Sequence, residues 1–363
     1  PKINICSPIS DSPMRNSAED VQMEDESKIR KPKAVALLSG GLDSSLAVRM
    51  MLEQGVEVEA IAIKTPFCDF DCGKGCGHRV KQVSAELGIP LKTVYFGNEY
   101  LRMLKKPRHG YGSGMNPCID CRAMMYRAAK KHLETTGADF IVTGEVLFQR
   151  PMSQNTRALH IIEEETNTAG KVLRPLSAKH LDPTEAEKGG LVKRENLGDI
   201  KGRSRKGQLR LAKQFDVVDP PNAAGGCLLT DPAFSKRIKD AYEHAADIPN
   251  INDVELLKVG RHFRLSNDAK LIVGRNKEEN ERIMSMSLPG DIILEAKDYV
   301  GPTCLLRSMR YEQSILKASA SILLRYSDSP KGHNYRVRAK INDREEEILA
   351  SSALDEEIVN LRI

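Results

Sequence analysis

No apolar run in this 363-residue chain approaches the roughly eighteen residues that a bilayer-spanning helix requires, so no membrane partner is expected. The N-terminus also lacks the succession of charged, apolar and small residues that marks a secretory signal, which points to a soluble, cytoplasmic protein. Numbering begins at Pro1, which leaves the start of the gene product itself open. Apolar periodicity is missing from residues 1–30 as well; rich in Ser, Asp and Glu, they read as a disordered tail. Core-forming material is not lacking elsewhere: 40% hydrophobic content over this length suffices for a full core and two domains.

Ala34-Val35-Ala36-Leu37-Leu38 reads as a buried parallel strand, and Leu46, Ala47, Met50 and Met51 fall on one face of a following helix. Between them lies Ser39-Gly40-Gly41-Leu42-Asp43-Ser44-Ser45. Its two glycines allow a ligand close to the backbone, while Asp43, Ser44 and Ser45 suit a helix N-terminus whose unpaired N–H groups attract anions. No lysine stands where a Walker A loop places one. That absence disfavours transfer of the γ-phosphate and favours holding pyrophosphate as a leaving group. The run resembles the SGGxDS signature of PP-loop ATPases, which implies adenylation of an oxygen by ATP, with Asp43 positioning the phosphates through Mg2+.

Eight cysteines in such a chain point to metal or redox chemistry ahead of structural disulfides. Cys118-Ile119-Asp120-Cys121 follows Pro117 and precedes a helical pattern, so Cys121 is expected in a first helical turn, where a thiol pKa is lowered. Cys227 follows Gly225-Gly226, whose backbone could close around a bound group. By themselves these residues fit a structural zinc or inert thiols as well as reactive ones. A second group, Cys68, Cys72, Cys76 and His78, has C-x3-C-x3-C-x-H spacing and is a candidate zinc site at the end of a strand over residues 56–63. Cys6 and Cys304 read as incidental thiols.

The order of PP-loop, PCxxC and a glycine-preceded cysteine resembles the tRNA thiolation enzymes related to the 2-thiouridine synthases. That resemblance implies tRNA as partner, a protein persulfide or inorganic sulfide as sulfur donor, and sulfur handling at Cys118 and Cys227. The third thiol, Cys121, resembles the iron-sulfur branch, in which three cysteines hold a [4Fe-4S] cluster with one iron open to hydrosulfide. A persulfide route would need only two of the three.

Alternating strands and helices up to Glu145 predict an α/β fold with a parallel sheet covered by helices on both faces, a PP-loop/HUP-like arrangement, plus a smaller α+β C-terminal domain. Asp139-Phe140-Ile141-Val142 should be a buried strand ending at Thr143-Gly144-Glu145, with Gly144 permitting close approach of the nucleotide and Glu145 binding magnesium or orienting the base, unless it is a surface carboxylate. Arg150-Pro151-Met152-Ser153-Gln154 and Arg174-Pro175-Leu176 resemble loop motifs of the same enzymes. Between Lys193 and Lys213, eight basic residues (Lys193, Arg194, Lys201, Arg203, Arg205, Lys206, Arg210, Lys213) oppose only Glu195 and Asp199, the footprint expected for an RNA backbone.

Texture changes near Pro249-Asn250, giving a division into a tail (1–30), a PP-loop domain (31–248), a second domain (249–342) and an acidic helix or tail (343–363). Phe263 to Asn276, followed by Glu279-Asn280, resembles the NFACT-R module, which implies RNA binding; Asn267-Asp268 would supply its hairpin turn. Two other readings fit the same residues: a PP-loop enzyme acting on a small molecule, and a non-catalytic RNA-binding adaptor with structural zinc.

Overall fold

Alternation within the first strand decides how the N-terminal layers assemble. In a computed structural model describing residues 30–67, 76–217, 227–310, 312–342 and 344–363, with the side chains of 76–78 excepted, β1 (Lys33–Leu37) is buried along its centre. Ala34 and Ala36 point into one core and Val35 into another, so helices must cover both faces.

The elements that follow are α1 (Leu42–Leu52), β2 (Glu57–Lys64), α2 (Cys76–Glu86), β3 (Leu91–Tyr95), α3 (Asn98–Lys105), α4 (Cys118–Thr136), β4 (Phe140–Thr143), α5 (Thr156–Thr166) and β5 (Val172–Leu173). The five strands form a parallel sheet in the order β3-β2-β1-β4-β5. Chain direction across the sheet reverses between β1 and β4, which opens a crevice at their carboxyl ends where ligands of such folds collect. Small alanines facing α1 let that helix sit low on the sheet, with Leu46, Ala47 and Met50 packed against Ala60 and Val142.

Among the described residues, four helices carry the chain to the second sheet: α6 (Glu185–Lys188), α7 (Lys206–Gln214), α8 (Pro232–Glu243) and α9 (Ile251–Leu256). Asn250 caps α9 by accepting from Asp253 N at 2.7 Å, so the Pro249-Asn250 step is a helix start within a continuous packed unit running from Pro32 to Ile363. Val254 and the following Leu257 pack with Phe67, Tyr100 and Phe234, whereas Leu256 and Val259 pack with Ile272, Ile283 and Leu305.

The remaining elements are β6 (Arg261–Ser266), β7 (Ala269–Val273), α10 (Lys277–Ser285), β8 (Ile292–Ala296), β9 (Cys304–Ser308), α11 (Gln313–Arg325), β10 (Asn334–Ile341), β11 (Arg344–Ser351) and α12 (Asp355–Val359). Their antiparallel sheet has the order β11-β10-β8-β9-β7-β6, with Asn267-Asp268 turning the β6–β7 hairpin as expected. The helix or tail expected from residue 343 onward is corrected: Arg344–Ser351 is a strand paired with β10. Ile348 and Ala350 alternate inward, and Glu345 and Glu347 face Lys340 and Arg338 across the ladder, so a basic neighbour strand neutralises the acidic run. No described helix is long and apolar enough to cross a membrane.

Candidate active site

Gly40 adopts φ +73°, a left-handed backbone that a side chain would strain, and the turn it makes leads directly into α1. Ser44 Oγ accepts from Ser39 N at 3.3 Å and donates to Gly41 O at 3.0 Å; Ser45 Oγ donates to the same carbonyl at 3.0 Å. Both hydroxyls thus shape the loop from within, which leaves first-turn N–H groups for an anion.

A cavity of about 480 Å³ lies against this loop, walled by Ser39, Gly41, Asp43, Ser44, Thr143, Gly144 and Glu145. It sits at the reversal between β1 and β4. Gly144 is held there by contact with the loop itself: a Cβ on it would stand 2.4 Å from Ser44 N and 2.5 Å from the Asp43 carbonyl carbon. Ser45 and Gly40 instead line a smaller recess behind the loop, together with Arg49 and Arg79.

Asp43 reaches into the main cavity and accepts from Gln149 Nε2 at 3.0 Å. Burial holds its carboxyl above the ordinary aspartate value, against the opposing pull of Gln149 and of Arg205 and Arg150.

Glu145 is not a surface carboxylate; it lines the cavity, and its Oε1 has no hydrogen-bond partner among the described residues. It is 2% exposed and accepts from Tyr126 Oη at 2.5 Å and from Arg174 Nε at 3.1 Å, while Arg122 Nε stands 3.4 Å away. Burial disfavours its charge, but Arg122 and Arg174 outweigh that effect and hold the carboxyl below its usual range. Arg174 is further tied to Glu163 Oε1 at 2.6 Å, so the Arg174-Pro175-Leu176 segment serves as a buried brace beneath the cavity floor.

The Arg150–Gln154 segment forms a closed turn. Arg150 N donates to Gln154 Oε1 at 3.0 Å, Gln154 N returns to Arg150 O at 2.9 Å, and Phe148 N reaches Gln154 O at 2.6 Å. Gln154 is 3% exposed, and Phe148 takes φ +63°, a costly conformation for an aromatic residue. The turn sends Gln149 and Arg150 into the cavity.

The basic segment divides. Arg203 and Arg205 line the cavity, because Lys201 pairs with Leu147 in a parallel bridge and Gly202 N donates to Leu147 O at 2.7 Å. Arg194 is spent on Glu187 and on the carbonyls of Ala178 and Leu181. Lys193, Lys201, Lys206, Arg210 and Lys213 remain exposed on the surface. Two arginines of the basic run thus face the cavity, and neither Arg203 nor Arg205 carries a local signal of that placement.

α4 begins at Cys118, so Cys118 takes the first helical position and Cys121 closes the same first turn. Burial pushes the Cys118 thiol up despite Arg150 and Arg122, the reverse of the lowering expected at such a helix start. Asp120, between the two cysteines, accepts from Arg108 N at 2.9 Å and His109 N at 3.1 Å and fixes the incoming loop. Cys227 is brought to the same region by that loop: Met115 N donates to Leu229 O at 3.0 Å. Gly114, at φ +63°, makes the approach possible, since a Cβ there would lie 2.3 Å from Ser235 Oγ and 2.5 Å from Leu229 O.

Cys121 and Cys227 pack on one apolar cluster, and charge interactions of Arg150 run to both Cys118 and Cys227. Among the described residues no three His, Cys, Asp or Glu side chains stand close enough for a single metal ion, which gives no support to a compact zinc site at Cys118 and Cys121. Three thiols with no imidazole or carboxylate among them are a donor set suited to iron and sulfide, a group larger than one ion. Cys68 and Cys72 lie outside the described residues, as do the side chains of Cys76 and His78.

Comparison with known proteins places two domains on this frame. A family described as thiamine biosynthesis protein (ThiI) matches residues 30–182, and the NFACT protein RNA binding domain matches residues 260–361. A tRNA-specific 2-thiouridylase MnmA of Roseiflexus sp. is 30% identical over 253 residues, covering 63% of this chain and 66% of its own length. A probable tRNA sulfurtransferase of Thermoanaerobacter sp. is 32% identical over 155 residues, covering 42% of this chain and 38% of its own. A solved 4-thiouridine synthetase in complex with RNA and bound ATP is 28% identical and covers 51% of this chain and 52% of its own, at a TM-score of 0.33. The chain spans two thirds or less of the length of the curated relatives it matches. With the parallel sheet, the glycine loop and the terminal antiparallel sheet in place, the chain carries a PP-loop domain of the ThiI family followed by an NFACT-R domain.

Proposed function

We propose that this chain is an ATP-dependent tRNA sulfurtransferase. The observation that carries the reading is the position of Arg150, whose charge interactions run to Asp43 at the phosphate loop and to Cys118 and Cys227. An arginine that lines the cavity beside the glycine loop thereby also senses two of the thiols.

The pyrophosphate of ATP rests on Ser39, Gly41 and Ser44, with Gly40 and Ser45 shaping the turn from behind, Gly144 keeping the loop in shape and Asp43 engaging Mg2+ on the phosphates. A uridine turned out of its stack brings its carbonyl oxygen to the α-phosphorus. The new O–P bond forms as the bond to the β-phosphate oxygen breaks, and pyrophosphate leaves with that electron pair. Sulfur arriving from the cysteine side then bonds to the ring carbon as the C–O bond breaks and AMP departs. Catalysis is mainly positioning and charge stabilisation, supplied by the loop N–H groups and the cavity arginines.

Cys118, Cys121 and Cys227 would hold a [4Fe-4S] cluster, which when bound offers an open iron for hydrosulfide. Half-burial keeps these thiols from bulk water, and Arg122 and Arg150 offset the negative charge that thiolates and sulfide bring. The exposed lysines flanking the cavity and the NFACT-R domain supply two surfaces for the tRNA backbone.

The test is incubation of anaerobically purified protein with ATP, sulfide and unmodified tRNA. RNA-dependent AMP and pyrophosphate, a thionucleoside in the digested RNA, and about four irons and four acid-labile sulfides per chain are expected. AMP formation that ignores RNA would favour a small-molecule substrate; zinc without iron, alongside thiolation, would favour the persulfide route.

A further inference from the structure

We propose that Arg150 is a catalytic residue of this site, binding the α-phosphate at the passage between the phosphate loop and the thiols. The inference rests on the sulfurtransferase reading and adds to it the group that meets the charge at the reacting phosphorus.

Charge compensation and placement together single the residue out. Arg122, Arg203 and Arg205 also line the cavity, but Arg122 is paired with Glu145, and Arg203 and Arg205 belong to a separate segment, whereas Arg150 adjoins Gln149, which holds Asp43. Arg150 has no carboxylate within ion-pair distance among the described residues, and the nearest acid it senses is Asp43. An uncompensated guanidinium facing a cavity that holds a glycine phosphate loop is matched by a phosphate oxygen, because its planar fork offers two parallel N–H donors.

Its backbone is fixed. Gln154, almost wholly buried, uses its side-chain oxygen on Arg150 N and its main chain on Arg150 O and Phe148 N; Asn155 Nδ2 donates to Pro151 O at 2.7 Å. The left-handed Phe148 adds strain that the turn sustains in order to aim the next two residues inward. Gln149 then holds Asp43, and Arg150 lines the cavity while its charge is felt by Cys118 and Cys227. Adjacent residues of one rigid turn thus address the metal-side carboxylate and the reacting end of the nucleotide separately.

Negative charge on the α-phosphate rises as the uridine oxygen bonds to phosphorus and the β-oxygen departs. A donor set in place beforehand stabilises that charge without reorganisation. The same guanidinium then remains on AMP as sulfur displaces it, where it eases departure of the phosphate oxygen.

Arg150→Gln and Arg150→Lys, compared with the parent protein in RNA-dependent pyrophosphate release, test the assignment. Arg150→Gln is expected to lower kcat by about 10²-fold with KM for ATP changed far less, and Arg150→Lys to recover part of the loss. The thermal midpoint should stay near that of the parent, since the side chain is exposed. Parent-like kcat in Arg150→Gln, or a loss confined to KM, overturns the role of Arg150 and leaves the sulfurtransferase reading intact. A parent protein that releases no pyrophosphate with any tRNA overturns both.

Discussion

Glu145 and its two arginines show how a residue can look like a ligand and serve as a foundation. Its carboxylate lies at the end of a buried strand beside a phosphate loop, where sequence logic places a magnesium ligand. In the fold it neutralises Arg122 and Arg174, both anchored nearby, with Tyr126 and Thr143 satisfying one oxygen. Removing one member of a buried ion cluster leaves the others uncompensated, which typically costs about 3 kcal/mol or more. Glu145→Gln is therefore expected to lower unfolding free energy by that order in denaturant titration, with the Mg2+ dependence of ATP binding unaltered. Unchanged stability with altered Mg2+ dependence would return Glu145 to the role of ligand. The turn at Gly40, Gly41, Asp43 and Ser44 leads into α1 as the local pattern implies, because its surroundings are set by residues next to it in the chain. Glu145 depends on Arg122 and Arg174, which a local reading cannot connect to it.

Elements bring the cysteine-bearing segments together. The loop before α4 and the segment after Cys227 are joined by Met115 and Leu229, and Gly114 is the point of closest approach. In Gly114→Ala the new methyl meets a backbone carbonyl in a left-handed conformation, at a cost of about 1–2 kcal/mol for the backbone alone. Thiolation is expected to fall sharply while ATP affinity by calorimetry holds, since the phosphate loop sits on other elements; equal losses in both would show that the two halves are not separable. A second element effect lies in β6. His262 is 1% exposed, and burial, with Lys270 and Arg237 nearby, drives its imidazole well below the ordinary value. The folded chain thus keeps His262 neutral while the unfolded chain takes up a proton near pH 6.5. Its contribution to stability is complete above that pH and is lost as pH falls, at up to about 1.4 kcal/mol per pH unit. Between about pH 7 and 5 the slope of unfolding free energy should shrink by close to one proton in His262→Gln, with denaturant titration as the measurement.

Across the whole molecule, charge serves two ends that composition merges. Arg203 and Arg205 face the cavity beside the glycine loop, whereas Lys193, Lys201, Lys206, Arg210 and Lys213 are exposed. Replacing those five by Gln should weaken tRNA binding and flatten its salt dependence, since every phosphate that is no longer neutralised takes about 0.7–0.9 from the slope of log K against log salt. ATP affinity should not move, because Arg203 and Arg205 remain; a parallel loss of ATP binding would mean the surface lysines belong to the nucleotide site. The chain order alone determined the phosphate loop, the parallel sheet with its covering helices, and the β6–β7 hairpin, since each follows from neighbours or periodicities within a few residues. Only the tertiary structure decided that Glu145 is a brace, that Arg344–Ser351 is a strand, that two arginines of the basic run enter the cavity and that Gly114 joins the cysteine-bearing segments. Those outcomes depend on partners far along the chain, and the energy of a buried charge or a close backbone approach is set by what the fold places beside it.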